Sequence, residues 1–145
     1  MRKGIVKMSV PVNERSHGKL EACVKAHELC CYTLQIATNK KIFTEQYQEA
    51  LTDKIISTAI DIHTVVWSAN NILVNSKEDL EERTRLQEKA VVLCNVLLSL
   101  IDVAKKIFHL RTKRVVYWAG MAIETRNLVK GWMHSDRKRY AGYGT

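Results

Sequence analysis

The chain has 145 residues, 46% of them hydrophobic and 26% charged, with one proline and six glycines. This is the composition of one globular domain able to bury its core without disulfides or metals, and it excludes a collagenous or disordered chain. The formal charge of +8 is unevenly laid down: residues 1–102 carry 13 basic and 13 acidic side chains, whereas residues 103–145 carry ten basic and two acidic.

A basic excess gathered in the last third raises the local potential there and selects for polyanions, nucleic acid above all. Cys23, Cys30, Cys31 and Cys94 form no C-x-x-C pair and no zinc-like spacing, a usage that fits buried free thiols in a reducing compartment. In "MRKGIVKMSV", Lys7 interrupts the apolar part before it can serve as a signal peptide, and the most apolar run, residues 90–101, is cut short by Asp102. The expectation is a cytoplasmic protein with no membrane partner.

Residues 1–18 carry Gly4, Pro11, Gly18 and mixed charge without periodicity, and read as a flexible amino-terminal arm. The first helix begins near Lys19, with Leu20, Cys23, His27, Cys30, Leu34 and Ala37 at the three-and-four spacing of a buried face, and "TNKK" ends it. A second helix runs from a cap at Thr44 to about Val74 on the stripe Tyr47, Leu51, Ile55, Ala59, Ile62, Val66, Ala69 and Leu73. Ser76 and Asp79 form a capping box for the third helix, whose first half pairs Asp79 with Arg83 and Glu81 with Arg85 at i,i+4. Its second half, "AVVLCNVLLSLIDVAKKIF", is apolar nearly all round, so it is either central to its bundle or covered by another subunit. Thr112 caps a fourth helix that continues to Tyr140, and residues 141–145 make a loose tail. Four long amphipathic segments with short joints and no strand-period run give an all-α, up-and-down four-helix bundle over residues 19–140.

On a wheel at about 100° per residue, Arg126, Lys130, His134 and Arg137 of the fourth helix fall within an arc of about 80°. Tyr117, Trp118, Met121, Ala122, Leu128, Val129 and Trp132 occupy the other side, so Trp132 reads as a core anchor and not as a base-stacking residue. One or two cations near a helix C-terminus merely complement its dipole. Here Lys105, Lys106, Arg111, Lys113 and Arg114 gather at the joint between the third and fourth helices, and Arg137, Lys138 and Arg139 at the far end. With Arg126 and Lys130 they are the candidate nucleic-acid-binding residues, a set large enough to neutralise several phosphates.

Other chemistry finds less support. Cys23, His27 and Cys30 or Cys31 share a helix, but zinc sites draw ligands from loops or two elements, and such residues on an apolar face are usually core. Only one histidine, His17 after Glu14, follows a glutamate by three positions, whereas a di-iron bundle requires that pair on two helices. His63, Asp61 and Glu124 have no spacing that selects a catalytic set, and there is no glycine-rich phosphate loop; Gly120 and Gly131 read as positions that permit close helix packing or modulate helix stability. The chain therefore reads as non-enzymatic and without a cofactor.

The stretches "ALTDKIISTAIDIHTVVWSANN", "LQEKA", "LLSLIDVAKKIFHL" and "YWAGMAIETRNLVKGW" resemble a family of small four-helix bundles. That family includes the accessory variability determinant (Avd) proteins of diversity-generating retroelements and the proteins of ribosomal RNA intervening sequences. The likeness covers residues 19–140. It implies a homopentameric barrel of bundles that binds a reverse transcriptase and template-repeat RNA, or DNA, and supports complementary-DNA synthesis and mutagenic retrohoming. From the family only the general feature of basic residues on the closing helix is carried over, here Arg126, Lys130 and Arg137. The intervening-sequence branch would instead imply a structural bundle that touches nucleic acid nonspecifically.

Overall fold

Apolar residues at three-and-four spacing bury themselves by coiling into helices, and four long ones form in the computed structural model, which describes residues 14–143. They are α1 (Glu14–Ala37), α2 (Asp53–Asn70), α3 (Lys77–Phe108) and α4 (Thr112–Arg139), with no strand among the described residues. Each helix packs on the next in sequence, and α4 closes on α1. Pairs across the interfaces run in opposite residue order: Arg83 meets Asp136 and Asn95 meets Arg126 between α3 and α4, while Lys25 meets Glu124 and Thr33 meets Trp118 between α1 and α4. Neighbours are thus antiparallel, and the bundle is up-and-down.

The seam is clearest on α3, which buries Arg83, Gln87, Ala90, Cys94, Leu97, Ile101 and Ala104. Steps of four and three in alternation average 3.5 residues, the repeat that keeps one face against its partners in a left-handed bundle. Small residues (Ala22, Ala26, Ala59, Ala69, Ala122) lie among large ones (Leu29, Ile55, Ile62, Trp118, Trp132), so the helices approach closely around bulky fillers.

The two ends of the bundle are closed by different chemistry. At one end Phe43, from the α1–α2 connection, packs on Phe108 and Trp118 with ring centroids 4.6 and 5.9 Å apart, and the Trp118 indole N–H donates to Thr33 Oγ1 at 2.9 Å. At the other, the buried Arg83 and Asp136 form a bidentate pair, Nε to Oδ2 at 2.9 Å and Nη2 to Oδ1 at 2.6 Å. Gln87 donates to the same carboxylate at 2.9 Å, Arg83 Nη1 donates to the Ile72 carbonyl at 3.1 Å, and the guanidinium lies over Trp132 and Tyr140. This cluster ties the α2–α3 connection to α3 and α4.

Several local expectations are corrected. Helix α1 takes in residues 14–18, so the arm expected over residues 1–18 is shorter than the sequence suggests; residues 1–13 and 144–145 lie outside the described residues. Its buried face is Ala22, Cys23, Ala26, Leu29, Thr33, Ile36 and Ala37, which leaves His27 exposed. The second helix enters through a 3-10 turn (Glu45–Tyr47) and a π turn (Gln48–Thr52), and Thr44 makes no side-chain cap. It ends at Asn70 instead of Val74, because Ile72 leaves the helix to meet Arg83, and Leu73 is left 74% exposed. Ser76 does cap α3, accepting from the Asp79 N–H at 3.1 Å, but the Asp79 carboxylate reaches Asn75 and not Ser76. Arg83 turns inward instead of pairing with Asp79, and Arg85 pairs with Glu82 in place of Glu81. Thr112 is the first residue of α4 and not its cap. In the tail, Ala141–Tyr143 forms a turn that stacks Tyr143 on Tyr140.

Candidate nucleic-acid interface

The joint between α3 and α4 is tight because α3 ends in a left-handed residue. His109 has φ 52° and ψ 50°, and both its N–H and that of Leu110 return to the Lys105 carbonyl, the pattern that reverses a chain after a helix. Leu110 is buried and pins the turn. The short reversal brings Lys105 and Lys106, exposed in the last turn of α3, to the same end of the bundle as Arg111, Lys113 and Arg114. No side chain caps the α4 N-terminus, and its first turn has no acidic residue. Cations there oppose the helix dipole by roughly 0.3–1 kcal/mol each, a local conflict that a bound anion would relieve.

Beside this end is an open cavity of about 550 Å³ lined by Tyr32, Arg111, Lys113, Arg114 and Tyr117. The two tyrosine rings meet edge to face with centroids 5.0 Å apart. Tyr32 is half-buried and its hydroxyl pKa is raised, first by burial, against the opposing pull of Arg114. Tyr117 was expected on the apolar face of α4; it is 59% exposed, because that face turns inward only from Trp118 onward.

Farther along α4, Arg126 is half-buried and donates to Asn95 Oδ1 of α3 at 2.9 Å and to Asn127 Oδ1 at 3.3 Å. Lys130, His134 and Arg137 are exposed and line a second cavity, about 520 Å³, with Glu88, Val91, Val92 and Met133. Lys138 is exposed beyond it. Arg139 turns inward, its Nη1 4.0 Å from Asp136 and its guanidinium over Tyr140.

The ten candidates thus fall into two groups. Arg126 and Arg139 are held by neighbours, whereas Lys105, Lys106, Arg111, Lys113, Arg114, Lys130, Arg137 and Lys138 form no ion pair or side-chain hydrogen bond among the described residues. No protein-family model matches the chain, and no curated protein or solved structure matches it. The functional reading rests on this surface and on the family resemblance.

The remaining candidates are dispersed. Cys23 and Cys94 are buried, with thiol pKa values pushed up to about 12 by burial. His27 lies against His63, ring centroids 5.5 Å apart, with Cys31 Sγ 3.7 Å from its Nε2, but no three His, Cys, Asp or Glu among the described residues are placed to hold a metal ion. Asp61 is exposed and Glu124 pairs with Lys25 at 3.4 Å, so they do not join His63 in one site. A Cβ built on Gly120 or Gly131 meets nothing within 4 Å, so neither glycine serves close helix packing. No helix among the described residues is long and apolar enough to cross a membrane.

Proposed function

We propose that this protein is a non-enzymatic nucleic-acid-binding accessory subunit of a diversity-generating retroelement, which holds template-repeat RNA for a reverse transcriptase during complementary-DNA synthesis. The observation that carries the nucleic-acid part is the set of eight cations without a partner among the described residues, five at the α3–α4 joint and three toward the far end of α4. Cations left without intramolecular partners among the described residues are free to neutralise phosphates, and placing them at the joint and again toward the far end of α4 gives a bound strand two points of hold. The retroelement and the reverse transcriptase come from the family resemblance.

Assembly into a homo-oligomer, a pentamer in this reading, is supported by a second face. Val92, Val96, Val103 and Ile107 leave an apolar stripe exposed on α3, opposite the seam that builds the core. A stripe of this kind is costly in water and is relieved by covering it. The same stripe favours a second reading, a structural bundle of the ribosomal RNA intervening-sequence kind that recruits proteins and touches nucleic acid nonspecifically.

Two sets of glutamine substitutions test the proposal: Lys105, Lys106, Arg111 and Lys113 at the joint, and Lys130, Arg137 and Lys138 on the stripe. Each is expected to weaken binding of a labelled RNA at least tenfold by fluorescence anisotropy, with helicity unchanged by circular dichroism. Wild-type affinity in both sets would reject the interface. Co-purification with a reverse transcriptase encoded beside this gene supports the first reading, and an assembly that leaves that enzyme behind supports the second.

A further inference from the structure

The cavity at the α3–α4 joint contains more than phosphate-neutralising charge. Tyr117 sits 59% exposed on a helix, with Val116 before it at 64% exposed, and its ring meets that of half-buried Tyr32 edge to face. A large aromatic left in water loses the benefit of burial unless something covers it. Its surroundings say what kind of cover fits. Arg111, Lys113 and Arg114 share the cavity, and among the described residues none of the three is spent on an ion pair. An apolar partner would have to desolvate these cations without compensating them. An anionic partner with a flat π face satisfies both halves of the site at once. The cavity, about 550 Å³, lies within the roughly 300–1,000 Å³ of small-ligand sites, and it is open enough for a chain to enter and leave.

We infer that Tyr117, buttressed by Tyr32 and ringed by Arg111, Lys113 and Arg114, is a stacking site for an unpaired nucleobase, so that the protein selects single-stranded over double-stranded RNA. The inference deepens the proposed function and rests on it. In a duplex each base is already stacked on both faces and its plane is not available to a side chain, while an unpaired base stacks on any aromatic platform regardless of sequence. The edge-to-face contact with Tyr32 holds the Tyr117 ring in place while the residue stays 59% exposed. The three cations then take the phosphates on either side of the stacked base.

The probes are a labelled oligouridylate, a duplex RNA of the same length, and an abasic oligonucleotide with the same number of phosphates. Wild type is expected to bind the oligouridylate roughly fivefold or more tighter than the abasic strand, the lower end of what stacking one base on an aromatic side chain is worth. Tyr117→Phe keeps the preference, and Tyr117→Leu, which retains bulk against Tyr32, abolishes it while leaving abasic binding unchanged. Equal wild-type affinity for all three probes overturns the stacking site but leaves the phosphate-binding surface standing. Absence of binding to any of them overturns both. If Tyr117→Leu lowers the mass of the assembly in solution instead of changing base preference, the tyrosine is a subunit contact and the inference is wrong.

Discussion

Replacing Asp136 by alanine removes the acceptor of two Arg83 hydrogen bonds and one from Gln87, and leaves the guanidinium, 3% exposed, with the Ile72 carbonyl and two aromatic faces as its remaining partners. Breaking a buried pair from one side costs about 3–5 kcal/mol, because the surviving charge stays buried and uncompensated. The partners that Arg83 keeps place the estimate toward the lower part of that range. For a chain of this length about 3 kcal/mol lowers the melting temperature by roughly 10 °C, and at about 2 kcal/mol per molar it moves the urea midpoint down by roughly 1.5 M. A thermal scan and a urea titration, each followed by circular dichroism, read the two shifts. The double substitution Arg83→Met with Asp136→Leu fills the same volume without charge and is expected to recover most of the loss. A cost below about 1 kcal/mol for Asp136→Ala, or a double variant no better than the single one, would refute the view that this pair locks the end of the bundle.

Other outcomes follow from local geometry. Gly120→Ala and Gly131→Ala fill open space on an exposed helical surface and should each stabilise the fold by about 0.5–1 kcal/mol, and His109→Gly should relieve the left-handed strain at the end of α3 by about 1 kcal/mol. Loss of stability in these variants, measured by urea unfolding, would contradict the open helical surface at the two glycines and the left-handed end of α3. A thiol reagent at mild alkaline pH should modify Cys31, which is exposed, well before Cys23 and Cys94, whose pKa near 12 cuts the thiolate population about a thousandfold; peptide mapping that finds Cys23 or Cys94 labelled first contradicts the burial described. His63 is held below its usual 6.5, first by burial and then by the neighbouring His27. The unfolded chain therefore takes up this proton more readily than the fold, so the stability linked to His63 is intact above pH 6.5 and declines as pH falls through 6.5 toward the lowered value. Imidazole titration by NMR should show this depression, reduced in His27→Ala; a His63 value at or above 6.5 would count against the packing.

What could be read in the sequence is what depends on a single helix. Periodicity alone places the four helices and puts Trp132 in the core, and Ser76 announces its cap because the hydroxyl and the Asp79 N–H it serves are three residues apart. The fate of Arg83 was not legible. An i,i+4 pair with Asp79 offers a few tenths of a kcal/mol at the surface, and the bidentate contact that replaces it exists only once the register of α3 against α4 sets Asp136 opposite, 53 residues away. The irregular entry of α2 and its early end likewise follow from packing, through Phe43 at one side and Ile72 at the other. In the candidate interface, the sequence located the basic clusters but could not separate cations with partners from those without. Arg126 differs from Lys130 through Asn95, which α3 brings to it, and Arg139 differs from Arg137 by turning toward Asp136, three residues earlier on the same helix, whose carboxylate is held inward by Arg83. Tyr32 and Tyr117 were missed because each lies at the margin of an otherwise apolar face, and their meeting depends on how α1 and α4 cross.

The central claim, that unpaired cations on this bundle exist to hold a nucleic-acid strand, is tested most directly by the salt dependence of wild-type binding to single-stranded RNA. Engagement of the five cations at the α3–α4 joint predicts that log K falls linearly with log salt at a slope near −3.5, and steeper if the stripe along α4 joins in. A slope near zero, or no measurable binding even at low salt, would contradict the account.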